Sequence, residues 1–319
     1  DCDGTLYQAG TLLPDVAEAV QHLRDTGKRL FFVTNTSSRS REQLCAKLQG
    51  LGVPCRAEEC VPSCVFSADY IRRSHPAAER VYVIGGSGVV DELAKVGISS
   101  SGGPSEDAST FSDADFRGLT ETIRSEKYDG VVVGWDTALN YYKITKSSLV
   151  FQLHPDAFFY ATNDDGADRV GECLLPGNGP LLKAIEASCV ACAPGRVGRQ
   201  KPYSAEAVVL GKPNPDYARC IAEWNGIDLR RAVMVGDRLE TDMVMANKAG
   251  MKALFVLTGV DDLDELRRQA SSQASPMPRV WRGEGQCEEK HRYACSGYTC
   301  WGPAPQRIHM SRTSALTPC

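Results

Sequence analysis

The chain runs to 319 residues with a formal net charge of −4 and a pI near 5.8, long enough for two domains and a sizeable core. Hydrophobic residues make up 42% and charged ones 24%, ordinary globular usage, and the slight acidity excludes a basic nucleic-acid footprint. No apolar run approaches the ~18 residues of a membrane span, and the polar, acidic start is unlike a secretory signal. Thirteen cysteines, an odd number scattered through the predicted elements, point to reduced thiols in a cytosolic protein rather than a disulfide framework.

The chain opens on DCDGT, which taken alone reads as a turn. LPDVAEAVQHLRDTG then predicts a helix with Val16, Val20 and Leu23 on one face, Pro14 near its start and Gly27 as its stop. KRLFFVTN is a short apolar run of the buried parallel-strand type. SREQLCAKLQGLG carries a capping box, Ser40 with Gln43, and an apolar face of Leu44, Leu48 and Leu51. The middle repeats the alternation: VYVIGG, GVVDELAKVG, GVVVGWD, KITKSSLVFQLH, AFFYATN and GPLLKAIEASC. SSSGGPSEDAS and APGRVGRQKPYSAE read as solvent-exposed insertions. CVAC (Cys189 to Cys192) has redox spacing but ends an apolar helix, so a structural thiol pair is the reading. AVVLGKPNP, a helix aligning Tyr217, Ile221 and Trp224, the strand AVMVGD, a helix through Met245 and the strand KALFVLTG complete the series.

This alternation predicts an α/β fold, a doubly wound parallel sheet with helices on both faces and a second α/β domain inserted. Residues 1–64 plus 199–270 are assigned to the core and 65–198 to the insertion. From Ser271 to residue 319 no period is visible, and an irregular or disordered tail is expected. Cys287, Cys295 and Cys300 lie in it without a C-x-x-C pair to support a metal site.

Polar groups follow the apolar strands: Thr34, Asn35 and Thr36 after LFFV, Lys212 after VVLG, and Asp237 after VMVG with Asp242 beyond. Asp1 and Asp3 fall where another strand would end. In an open parallel sheet such positions face one crevice, so the groups can converge. Read singly, Lys212 is a loop lysine, Asp237 a turn residue, Asp242 a helix-start charge and Thr34 a strand end. Read together, carboxylates, one lysine and hydroxyl and amide donors suit a phosphate and a hard cation such as Mg²⁺.

DCDGT, FVTNTSSRSRE, LGKPNPD and MVGDRLETDMVMANKAGMKALFVLTGV resemble the four motifs of the haloacid dehalogenase superfamily, and most closely its phosphoglycolate phosphatase and 4-nitrophenylphosphatase branch. YDGVVVGWDTALNYYKITKSSLVFQ and YATNDDG…LPGNGPLLKAIE resemble that branch's large α/β cap, of the C2 type, and the resemblance covers about residues 1–270. It implies a Rossmann-like core and phosphomonoester hydrolysis through an aspartyl-phosphate. By it Asp1 is the nucleophile and Asp3 the general acid/base, with its backbone carbonyl on Mg²⁺. Thr34, Asn35, Thr36 and Lys212 bind phosphate, and Asp237 ligates Mg²⁺ with Asp242 beside it.

Relatives read T/S-N-N where this chain has Thr36 at the last position, and they place an apolar strand before the first Asp. Here none precedes it, so a lost central strand, with poor folding and weak activity, is the expectation. A small phosphorylated metabolite is the expected ligand and 2-phosphoglycolate the first substrate, with pyridoxal 5′-phosphate the rival. The cap loop from Asn163 through Asp165 and Arg169 is expected to touch the leaving group. It has no aromatic or His to stack a pyridine ring, and Arg169 reads either as a carboxylate contact or as a solvated loop arginine. A non-catalytic phospho-ligand binder and a phosphomutase are the other classes, and a homodimer through the cap is carried over from the family.

Overall fold

The computed structural model describes residues 1–112, 115–170, 173–192, 206–271 and 279–281. The first segment holds a hairpin, β1 (Tyr7–Gln8) and β2 (Thr11–Leu12), then α1 (Val16–Asp25), β3 (Phe32–Thr34), α2 (Arg41–Gly50), β4 (Cys60–Pro62) and α3 (Ser63–Ser74). β3 and β4 pair in parallel. The capping box of α2 forms as predicted, the Ser40 backbone donating to Gln43 Oε1 at 2.8 Å while the Ser40 side chain accepts from the Gln43 backbone. Leu44 and Leu48 are buried beneath it. On α1 only Val20 is fully buried; Leu23 is 39% exposed, at the edge of its stripe rather than in the core.

The middle contributes β5 (Arg80–Ile84), α4 (Ser87–Lys95), β6 (Ser99–Gly102), α5 (Asp115–Ser125), β7 (Gly130–Val133), α6 (Tyr141–Leu153) and β8 (Phe158–Ala161). A hairpin of β9 (Ala167–Val170) and β10 (Cys173–Pro176), then α7 (Asn178–Cys192) and β11 (Val208–Val209), follow. A five-stranded parallel sheet runs in the order β11-β8-β7-β5-β6. Its inner strands β5, β7 and β8 are almost wholly buried, as apolar runs of a parallel sheet must be. Val81, Val83 and Val132 face one core with Phe66, Leu210, Tyr217 and Met245, whereas Tyr82, Ile84, Val131 and Val133 face another with Leu149, Leu182 and Ile185.

Two sequence expectations change here. SSSGGPSEDAS is not wholly an insertion, because its first residues form β6 along the edge of β5. Serines hide the strand from a hydrophobic reading, since an edge strand needs little apolar surface. β11, grouped by sequence with the later core segment, pairs instead with β8. Of APGRVGRQKPYSAE only Glu206 falls within the described residues. Cys189 is buried and Cys192 exposed at the end of α7.

The last segment holds α8 (Pro215–Asn225), β12 (Val233–Gly236), a π-helical turn (Leu239–Met243), α9 (Val244–Ala249), β13 (Lys252–Val256), α10 (Leu263–Ser271) and β14 (Arg279–Trp281). β12, β13 and β14 form a parallel sheet in that order. The expected irregular tail therefore contains a strand; three residues are too few for a period to register. The rest of 272–319, with Cys287, Cys295 and Cys300, lies outside the described residues. Among those described, β3–β4 and β12–β13–β14 are separate sheets, and the Asp1 backbone nitrogen donates to Val235 of β12 at 2.7 Å. Tyr217 ties the segments together: its ring stacks on Phe66 at 4.9 Å and its hydroxyl donates to the carbonyls of Val61 and Thr34. Among the described residues no helix is long and apolar enough to cross a membrane.

Candidate active site

The segment ends meet where the sequence spacing predicts. Lys212 Nζ, fully buried, donates to Asp1 Oδ1 at 2.7 Å and to Asp242 Oδ1 at 2.8 Å, although Asp1 lies 211 residues away in the chain. Burial alone would lower the Lys212 ammonium, but Asp242 beside it holds it above its usual value, so it stays charged. Asp237 sits next to this pair with its Oδ2 accepting from the Val260 backbone at 2.8 Å and its Oδ1 from the Thr5 hydroxyl at 3.4 Å. Its carboxyl is pushed up, first by burial and then by Asp242.

Local structure explains each placement. Gly4 adopts φ +74°, a turn conformation that side chains rarely take, and a Cβ there would lie 2.4 Å from Asp237 Oδ2. The opening turn is thus a turn, and it also lets two backbones close around Asp237: a Cβ at Gly259 would lie 1.8 Å from the same oxygen. After Asp237 the π-helical turn carries Asp242 back beneath it, where its Oδ2 accepts from the Arg238 backbone at 3.3 Å. π-turns are rare and often mark functional sites.

One oxygen from each of Asp1, Asp237 and Asp242 lies within 4.8 Å of the others. All three donors are hard oxygens, and three carboxylates against one ammonium leave an excess of negative charge that a hard cation offsets. The residues therefore fit Mg²⁺. The carboxylate of Asp3 is not in this group. It is exposed and accepts from the Tyr7 hydroxyl at 2.9 Å.

The other predicted residues divide in two. Thr34 is buried, and its hydroxyl accepts from the backbone of the half-buried Thr36 at 3.2 Å. The side chain of Asn35 is fully engaged: Oδ1 accepts from the Lys212 backbone at 2.8 Å, and Nδ2 donates to the Lys212 carbonyl at 3.0 Å and to Asp165 Oδ2 at 2.8 Å. These bonds hold the loop that carries Lys212.

Asn163 and Asp165, expected at the leaving group, hydrogen-bond to each other and to the later segment. Asn163 Nδ2 donates to Asp165 Oδ2 at 2.6 Å, and Arg238 Nη1 to Asp165 Oδ1 at 3.0 Å. Arg169, on β9, donates to the Val260 carbonyl at 3.4 Å, and its buried Nε has no partner among the described residues. Tyr7, Arg238 and Val260 were not singled out by sequence. Arg238 was within reach, since it directly follows Asp237; nothing local marks Tyr7 or Val260.

Family profiles of the haloacid dehalogenase-like hydrolases match residues 1–99, and of HAD-hydrolase-like proteins residues 209–279. The chain is 35% identical to phosphoglycolate phosphatase 2 of Arabidopsis thaliana over 263 residues, 82% of each chain. It is 33% identical to glycerol-3-phosphate phosphatase of Gallus gallus over 276 residues, 85% of this chain and 82% of the other. Among solved structures, a 4-nitrophenylphosphatase of Thermotoga maritima aligns with a TM-score of 0.68 at 27% identity, covering 88% of this chain and 91% of that one. A glycerol phosphate phosphatase of Mycobacterium tuberculosis in complex with magnesium aligns with a TM-score of 0.66 at 26% identity, covering 89% and 72%. With the four sequence motifs gathered around Lys212, these likenesses place the chain in the haloacid dehalogenase-like hydrolases, on their phosphatase branch.

Proposed function

We propose that the protein hydrolyses small phosphomonoesters with Mg²⁺, and that 2-phosphoglycolate is its substrate. The observation that carries the proposal is Lys212 clasped between Asp1 and Asp242, with Asp237 alongside. Asp1 attacks phosphorus, forming a carboxyl–phosphoryl bond as the phosphorus–alkoxide bond breaks, and Asp3 gives its proton to the leaving oxygen. Asp3 then takes a proton from water, whose oxygen attacks phosphorus, releasing inorganic phosphate and regenerating Asp1. The exposure of Asp3 suits this exchange with leaving group and solvent. Lys212 holds the attacking carboxylate and offsets phosphoryl charge. Bound by Asp1, Asp237 and the Asp3 carbonyl, Mg²⁺ would supply charge neutralisation and orientation.

The small acid is favoured by the unpartnered Arg169 Nε on the cap hairpin, a donor for a substrate carboxylate. The named activity of the Arabidopsis relative points the same way. Glycerol 3-phosphate is the second reading, on the names of the chicken relative and the mycobacterial structure. Initial rates on 2-phosphoglycolate, glycerol 3-phosphate, pyridoxal 5′-phosphate and p-nitrophenyl phosphate, each with Mg²⁺ and with EDTA, test this. Highest kcat/KM on 2-phosphoglycolate and loss of all rates in EDTA are expected. A metal-independent rate, or turnover of none of the four, overturns the proposal.

A further inference from the structure

Three thiols converge in the buried core that also holds Cys2, the residue between Asp1 and Asp3. Cys45 of α2, Cys55 of the following loop and Cys60, which opens β4, bring their sulfurs within 4.8 Å of one another, and all three side chains are buried. Cys45 and Cys55 sulfurs stand 3.6 Å apart. The loop is held in place from several sides: Gln49 Nε2 donates to the Cys55 carbonyl at 2.9 Å, and Arg24 donates to the Pro54 carbonyl through Nε at 3.1 Å and Nη2 at 2.7 Å. The thiols are thus fixed before any ligand arrives.

The geometry points to a binding site for a monovalent thiophilic metal ion, Cu(I), at Cys45, Cys55 and Cys60. Soft sulfur donors select Cu(I), zinc or iron–sulfur clusters over hard cations. Structural zinc takes four ligands, whereas the group among the described residues has three, all sulfur. Burial and the Cys45 contact push the Cys55 thiol up to about 12, and burial raises Cys60 as well, so these two thiols are protonated when free. Each coordination replaces an S–H bond by S–Cu and releases one proton to solvent, with no change of oxidation state. Arg24 lies close enough to feel charge on Cys55 and Cys60 and would offset part of the thiolate charge. Glu59, which directly precedes Cys60 in the chain, is already taken by Arg24 and Arg56.

The test uses the full chain under anaerobic conditions, offered Cu(I) as its bathocuproine disulfonate complex. The wild type should withdraw one equivalent, with X-ray absorption showing three sulfurs on copper, and uptake should strengthen as pH rises. Cys55→Ser and Cys45→Ser should each weaken retention by at least ~100-fold, the upper end of what outer-shell changes alone cost. A Cys173→Ser/Cys192→Ser variant, which removes exposed thiols, should bind as the wild type does. No uptake by folded wild type, copper bound to fewer than three sulfurs, unchanged retention in a folded Cys55→Ser chain, or loss in the exposed-thiol variant overturns the inference. The sulfur count is read on the wild type, so it decides even where a variant fails to fold. The readout is copper uptake rather than turnover, so the inference stands or falls independently of the proposed chemistry.

Discussion

At the scale of single residues, Asp1 carries the sharpest expectation. Asp1→Asn keeps the shape of the side chain and its contact with Lys212 while removing the nucleophile. Hydrolysis of p-nitrophenyl phosphate should fall to background with an unchanged circular dichroism spectrum, and retained turnover would eliminate the aspartyl-phosphate route. A second residue-scale effect concerns stability. Burial alone would raise the Glu59 carboxyl, but Arg24 and Arg56 more than reverse it, leaving it below its ordinary 4.5. Its contribution is therefore full above the unfolded value and is lost as pH falls through the depressed folded value. Arg24→Ala, which strips a bidentate partner at 2.7 and 2.6 Å, should cost about 3 kcal/mol at pH 7. It should also flatten the acid limb of a Tm–pH profile between about pH 5 and 3 relative to wild type; parallel profiles would show that the pair does not act this way.

Elements matter through how closely their backbones approach the acids. The loop after β13 closes on Asp237, and Gly259→Ala places a Cβ where that carboxylate stands. The carboxylate must turn away, losing the Val260 hydrogen bond and its place beside Asp1 and Asp242. The Mg²⁺ concentration for half-maximal rate should rise by about tenfold to a hundredfold, while Tm, which reports the wider core, changes little. An unaltered Mg²⁺ titration would remove Asp237 as a ligand. The π-helical turn works similarly on Asp242: one extra residue per turn aims it back at Lys212 instead of outward, as an uninterrupted helix would.

Across the whole molecule, Asp165 joins parts distant in sequence. It accepts from Asn35 of the first segment, from Asn163 of its own loop and from Arg238 of the last segment. Through Asn35 it also supports the loop that presents Lys212. Asp165→Ala should strip one acceptor each from Arg238 and Asn35, which keep the Ala167 and Lys212 carbonyls, and loosen the hairpin of β9 and β10 over the site. We expect a lower kcat and a higher KM together, with the larger effect on a carboxylate-bearing substrate if Arg169 contacts it. A change confined to Tm, with both kinetic constants intact, would make Asp165 purely structural.

Much of this was legible in the chain alone, because the signals are local. The βα alternation, the Ser40 capping box, and polar residues placed at strand ends follow from periodicity and from which backbone groups need partners. That Asp1, Lys212, Asp237 and Asp242 would meet was foreseeable from their common position relative to parallel strands. What the sequence alone did not determine depends on approach between distant segments. β6 is made of serines and glycine, β11 could have joined either sheet, and the bonds of Asp165 to Asn35 and Arg238 form only where distant segments meet. The meeting of Cys45, Cys55 and Cys60 is of the same kind: their spacing fits no metal motif, and only the packing of α2 against β4 brings the sulfurs together.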